Sequence, residues 1–285
     1  MLNNGINMPV LGLGVYMTAP GRETRDAVAW ALEAGYRHID TARFYDNERD
    51  VGLAVRESGL RREQIFVTTK LWNSDHGYDA AQRALDASLR DLGLDYVDLF
   101  LIHWPVKGPG KGNVPGLSPE HSRSSGGLRL ETWKALEQLL LNGSCLAIGV
   151  SNYTIRHLEE LMEASTVVPA VNQVEFSPFL YQQELLEFCR RNNIQLEAYS
   201  PLTRGRRLNH PALLAMAARY ARTAAQILIR WAIQHETVVI PKSARRKRII
   251  ENARVFDFSI SPEDMRALDA LNENLRICWD PTAAP

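Results

Sequence analysis

Four residues stand out for the apolar runs they close or follow. Asp40 ends Arg37-His-Ile-Asp, Lys70 ends Phe66-Val-Thr-Thr-Lys, His103 ends Leu99-Phe-Leu-Ile-His, and Tyr45 lies just beyond Asp40 in Thr41-Ala-Arg-Phe-Tyr. Any one of them alone is ordinarily a cap or a surface ion pair. The set of four suits hydride delivery to a carbonyl, which leaves an alkoxide and so calls for a proton and for stabilisation of growing negative charge. Tyr45 is the candidate acid. Its unperturbed phenol titrates near ~10, and an ammonium beside it favours the phenolate and lowers that value. Lys70 is the expected neighbour, with Asp40 holding it charged and oriented, while His103 offers a hydrogen bond to the carbonyl oxygen. His103 as the acid is the open alternative, because unperturbed imidazole titrates nearer to neutrality.

These residues need elements that bring them to one place. A stretch of helical periodicity, a Gly or Asn breaker and a short apolar run recur along the chain. Examples are Asp26 to Ala34 then Tyr36 to Ala42, Ala81 to Leu92 then Tyr96 to His103, and Thr132 to Leu141 then Leu146 to Val150. Gln183 to Arg191 precedes Ile194 to Tyr199, and Ala224 to His235 precedes Thr237 to Pro241. Leu11 to Tyr16, Phe66 to Leu71 and Ala170 to Glu175 complete eight strand candidates. Alternating helices and apolar strands imply a parallel sheet covered by helices. Gly12-Leu-Gly14 lacks the third glycine of a dinucleotide fingerprint, which counts against a doubly wound sheet. The expectation is a (β/α)8 TIM barrel forming one domain over 1–285, whose strand ends would gather the four residues at one mouth. Asn3-Asn4-Gly5 reads as the turn of an N-terminal β-hairpin closing the barrel bottom. Loop 107–127 and tail 275–285 are expected to cover the mouth.

Composition narrows the field. The 285 residues are 45% hydrophobic and 23% charged, with 33 Lys+Arg against 33 Asp+Glu, so no global field draws the chain to nucleic acid or an anionic membrane. Cys145, Cys189 and Cys278 follow no metal-ligand or disulfide spacing. No signal peptide or membrane span is read, and a cytoplasmic location is expected.

The chain resembles the aldo-keto reductases nearly end to end. The resemblance rests on Met8-Pro-Val-Leu-Gly-Leu-Gly, Gly35-Tyr-Arg-His-Ile-Asp-Thr-Ala, Lys70-Leu-Trp-Asn, Leu101-Ile-His-Trp-Pro and Gly149-Val-Ser-Asn. It continues through Asn172-Gln-Val-Glu, Ala198-Tyr-Ser-Pro-Leu and Ile240-Pro-Lys-Ser with Arg248 and Glu251-Asn252. It implies an NADPH-dependent reductase of aldehydes or ketones, with α-dicarbonyls and keto-sugars as candidate substrates. It places the catalytic roles on Asp40, Tyr45, Lys70 and His103, which favours Tyr45 as the acid.

The resemblance also implies a cofactor site. Tyr199 would stack on the nicotinamide, with Ser151, Asn152 and Gln173 at its carboxamide. Ser200, Leu202 and Gly205 belong to a loop over the pyrophosphate, where Arg204 and Arg206 are additional cations. Lys242, Ser243 and Arg248 would hold the 2′-phosphate, with Glu251 and Asn252 near adenine. Arg245, Arg246 and Lys247 are extra charges between them. Tyr16, Trp72, Trp104 and Trp279 are expected to line an apolar substrate vestibule. No metal is implied, and a monomer is expected. Two competing readings are a cofactor-sensing binding protein and a paired-carboxylate hydrolase. The intact four oppose the first, and the lack of a second strand-end acid beside Asp40 opposes the second.

Overall fold

Runs such as Phe66–Leu71 and Val97–Ile102 are buried at every position, the mark of strands covered on both faces. In the computed structural model, which describes residues 1–108 and 125–285, eight strands pair in parallel and in chain order. They are β1 (Leu13–Gly14), β2 (His38–Asp40), β3 (Phe66–Leu71), β4 (Val97–Ile102), β5 (Cys145–Ser151), β6 (Val171–Glu175), β7 (Gln195–Tyr199) and β8 (Val238–Val239). The last returns to the first. Leu11 bridges Val239, Gly14 bridges Lys242, and the Gly12 and Gly14 amides donate to the carbonyls of Val239 and Pro241. The sheet is closed, as a (β/α)8 barrel requires. The part of the expected lid loop from 109 to 124 lies outside the described residues.

The described helices are α1 (Arg22–Glu33), α2 (Glu48–Glu57), α3 (Tyr78–Leu92), α4 (Ser125–Leu141), α5 (Ile155–Ala164), α6 (Gln183–Arg191), α7 (Pro211–Arg219), α8 (Ala224–Gln234), α9 (Arg246–Ala253) and α10 (Pro262–Asp269). Ala27, Val28, Ala31 and Leu32 of α1, like Ala81, Ala84, Leu85 and Leu92 of α3, are buried at three- and four-residue spacing against the barrel. Gly52 in the middle of α2 is there for close approach: a Cβ would lie 1.8 Å from the Leu92 carbonyl oxygen at the end of α3. No described helix is long and apolar enough to cross a membrane.

Period-two alternation sorts the barrel interior into layers. At the N-terminal end, Phe66, Leu99, Leu101, Ala147, Val171 and Val238 form an apolar cluster with Leu2 and Met8. Those two residues flank a turn in which Leu2 N donates to Ile6 O at 2.8 Å and Gly5 N to Leu2 O at 3.0 Å. The hairpin expected there is thus a plugging turn rather than a strand ladder. Above the apolar cluster the interior turns polar: Thr68 lies below Lys70 on β3, His38 below Asp40 on β2, and Glu197 below Tyr199 on β7.

Candidate active site

Asp40 ends β2, Lys70 is the penultimate residue of β3, His103 follows β4, and Tyr45 ends the 3₁₀ turn Arg43–Tyr45. The structure brings all four together. Fully buried Lys70 donates from Nζ to both Asp40 carboxylate oxygens at 2.7 Å and to the Thr41 carbonyl at 2.8 Å. Those bonds use its three hydrogens and offset the cost of burying an ammonium. The Tyr45 hydroxyl stands 3.4 Å from the same nitrogen. The His103 ring meets the Tyr45 ring edge-on at 5.7 Å, and its Nδ1 is buried without a partner among the described residues.

The electrostatics differ from the sequence expectation at Tyr45. Burial pushes its phenol well above the usual value, and the Asp40 charge adds to this. Lys70, which Asp40 holds at closer range, does not overcome these effects. Tyr45 therefore holds its proton at neutral pH. Burial, followed by the Lys70 charge, holds His103 well below the ordinary imidazole value, so its ring is neutral there. Burial pushes the Asp40 carboxyl up against the opposing pull of Lys70. Gln173 ties Asp40 to a second buried acid that the motifs did not flag: its Nε2 donates to Asp40 Oδ2 at 2.8 Å and to Glu197 Oε2 at 2.9 Å. Gln173 has both amide hydrogens committed to carboxylates and lines the cavity.

Ser151 and Asn152 interlock with Gln173 and Tyr199. Ser151 Oγ donates to the Gln173 carbonyl at 2.8 Å. Asn152, at a left-handed φ of 64°, which asparagine tolerates, donates from Nδ2 to the His103 carbonyl at 2.9 Å. Its Oδ1 accepts the Tyr199 hydroxyl at 2.8 Å. Their side chains are thus already cross-bonded into a rigid platform at the mouth.

One cavity of about 1000 Å³ joins the mouth to the basic cluster. At the first end Tyr16, Trp72, Trp104 and Trp279 surround Tyr45 and His103. Trp104 meets Trp279 of the tail edge-on at 4.8 Å, and Trp72 stacks on Phe44 at 3.9 Å. Phe44 went unremarked in the sequence, although it adjoins Tyr45. The cavity then passes Tyr199, Ser200, Leu202, Arg204 and Gly205, where Ser200, Thr203 and Arg204 join Gly205 at positive φ in a tightly folded loop. It ends among Lys242, Ser243, Arg245, Arg248, Glu251 and Asn252 around the start of α9. Lys242 Nζ donates to the Met17 carbonyl at 2.9 Å. Among the described residues, Arg245 and Arg248 form no ion pair, whereas Arg246 faces away and pairs with Glu33 at 3.2 Å. Arg206 and Lys247 do not line the cavity.

Comparison with known proteins agrees with this architecture. The chain matches the sequence pattern described as "Aldo/keto reductase family" over residues 10–273. It is 48% identical over 284 residues to an uncharacterized oxidoreductase of Bacillus subtilis, covering 98% of this chain and 95% of that protein. It is 45% identical over 280 residues to a glyoxal reductase of the same organism, with the same coverage of each chain. A Bombyx mori aldo-keto reductase solved in complex with NADP superposes with a TM-score of 0.87 at 36% identity, covering 97% of this chain and 93% of that one. This chain belongs to the aldo/keto reductase family of oxidoreductases, which act on carbonyl compounds.

Proposed function

We propose that the protein reduces the carbonyl group of small aldehydes and ketones, α-dicarbonyls among them, with NADPH as hydride donor and Tyr45 as general acid. The carrying observation is the single cavity that runs from the Tyr45 hydroxyl and the His103 ring to the cations around Arg248. A flat aromatic face, a fixed amide platform and a cationic end with a helix N-terminus are the donor set that a phosphorylated dinucleotide requires. Tyr199, Ser151, Asn152 and Gln173 would hold the nicotinamide end. Ser200, Leu202 and Gly205 would fold over the pyrophosphate, and Lys242, Ser243 and Arg248 would take the 2′-phosphate, with Glu251 and Asn252 beside adenine. When bound, NADPH would supply the hydride.

The protein's own part is proton delivery and charge stabilisation. Tyr45 keeps its proton at Oη until an alkoxide forms beside it, and a phenol is a stronger acid than the alcohol it would protonate. Lys70 then stabilises the phenolate left behind, while Asp40 keeps Lys70 in place. Neutral His103 contributes an N–H toward the carbonyl oxygen; without an imidazolium it is the weaker candidate for the acid. The aromatic walls favour apolar substrates and exclude water. All these groups belong to one chain, consistent with action as a monomer, and the free cysteines suit a reducing cytoplasm.

Tyr45→Phe removes the transferable proton and leaves the ring. The expected result is unchanged NADPH affinity with turnover of glyoxal and benzaldehyde down by about 10² to 10⁴. Near-normal turnover in this variant moves the acid role to His103.

A further inference from the structure

Glu197 is fully buried and takes no part in the reduction proposed above. Gln173 occupies its Oε2, while Oε1 has no hydrogen-bond partner among the described residues and faces His38 Nε2 at 3.6 Å. That nitrogen already contacts the Thr68 hydroxyl at 3.1 Å. The groups around Glu197 are His38 and Asp40 from β2, Lys70 from β3, the Gln173 amide from β6 and the Tyr45 phenol beyond β2, with Thr68 of β3 on the far side of the His38 nitrogen. Burial and then the Asp40 charge push the Glu197 carboxyl up to about 8. Burial and Lys70 push His38 down to about 3, so no imidazolium is present to pair with it. Lys70 already contacts both oxygens of Asp40, so Glu197 is the carboxyl that carries the proton near neutrality.

Glu197 adjoins two of the residues proposed to hold the nicotinamide. It lies beneath Tyr199 on the same strand and bonds directly to Gln173. An oxidised nicotinamide ring carries a positive charge and a reduced one does not. Resting on the NADPH reading above, we propose that Glu197 is a positioning residue that distinguishes the two oxidation states of the cofactor: it anchors the Gln173 amide as an uncharged acid and releases its proton to solvent when a cationic ring lies over Gln173 and Tyr199. The driving force is Coulombic attraction across a low-dielectric layer one amide thick. The coupling is reciprocal, so ionised Glu197 favours the oxidised cofactor by the same factor.

The test is fluorescence titration of NADP⁺ and NADPH between pH 6 and 9, with wild type and Glu197→Gln. The 2′-phosphate, which titrates near ~6, is common to both ligands and cancels in the ratio of their constants. In wild type the NADP⁺ dissociation constant should fall relative to that of NADPH by up to about tenfold per pH unit below 8 and level off above it. Glu197→Gln, which keeps the acceptor for Gln173 but cannot ionise, should give a flat ratio. Calorimetry of wild type at pH 7, in two buffers of different ionisation enthalpy, should show more protons released with NADP⁺ than with NADPH, since the 2′-phosphate contributes equally to both. A flat ratio in wild type overturns the proposal without recourse to any variant. A wild-type slope retained in Glu197→Gln also overturns it and assigns the proton to another group. If neither cofactor binds wild type, the NADPH reading itself fails.

Discussion

Arg248 and Glu197 are proposed to act on a nucleotide in two different ways. Arg248 lines the cavity, forms no ion pair among the described residues and lies in the first turn of α9. A charge-assisted hydrogen bond contributes about 1.5 to 3 kcal/mol. Arg248→Ala should therefore weaken NADPH binding roughly ten- to a hundredfold while leaving NADH binding nearly unchanged. Equal losses for the two cofactors in a fluorescence titration would assign Arg248 a structural role and remove the basis for NADPH preference. Lys242, Ser243 and Arg248 were legible in the sequence because cations crowd there in an otherwise neutral chain. Glu197 was not, because it lies inside a strand rather than at its end, and only the tertiary pairing shows its partners, Gln173 on the adjacent β6 and His38 on β2. Strict alternation along Glu197-Ala198-Tyr199 was the available signal: a charged residue sharing the inward face of a barrel strand calls for an explanation.

At the scale of elements, strands were easier to locate than the helices around them. Phe66 to Leu71 is a strand with the bounds read from sequence, since burial on both faces leaves a short apolar run between polar ends. β1 shrinks to Leu13–Gly14, because closure there uses isolated bridges through Leu11 and Gly14. α2 escaped notice because Gly52 resembles a breaker until the Leu92 carbonyl is seen against it. The tail over the mouth is likewise placed by a tertiary contact. Glu175, ending β6, accepts the Ile277 amide at 2.8 Å and the Cys278 amide at 3.0 Å. That clamp precedes Trp279, which packs on Trp104. Glu175→Ala should loosen the tail and raise KM for an aromatic aldehyde by about tenfold, the equivalent of one charged hydrogen bond of ~1.4 kcal/mol. NADPH affinity should change much less, since the cations proposed to bind phosphate lie at the other end of the cavity. Losses equal for substrate and cofactor would mean that Glu175 supports the whole mouth rather than the tail.

For the whole molecule, the polar interior makes stability depend on pH in two limbs of opposite origin. His76 and His157 are pushed down to about 4 and His38 to about 3, in each case chiefly by burial. These imidazoles take up protons only on unfolding, so their contribution is complete above about 6.5 and is lost as pH falls toward the folded values. Glu197 works the other way. Raised to about 8, it keeps a proton that the unfolded chain releases near 4.5, so its contribution is complete below about 4.5 and is lost as pH rises toward 8. Asp40, Glu48, Asp98 and Glu175 are shifted in the same direction as Glu197, so between about 4.5 and 6.5 they oppose the imidazoles and flatten the curve. Below that interval the imidazoles act together with Glu160 and Asp280, which neighbouring arginines help hold below the usual carboxylate range. Between 6.5 and 8 the imidazoles no longer contribute, and Glu197 adds a downward slope of at most about 1.4 kcal/mol per pH unit, in the same direction as the other raised carboxyls. Thermal midpoints measured from pH 3.5 to 8 should therefore fall steeply on the acid side, run nearly level and decline gently above 6.5. Glu197→Gln should lessen the decline and leave the acid limb intact. A wild-type midpoint that rises from pH 6.5 to 8, or a decline undiminished in Glu197→Gln, would show that the buried proton resides elsewhere.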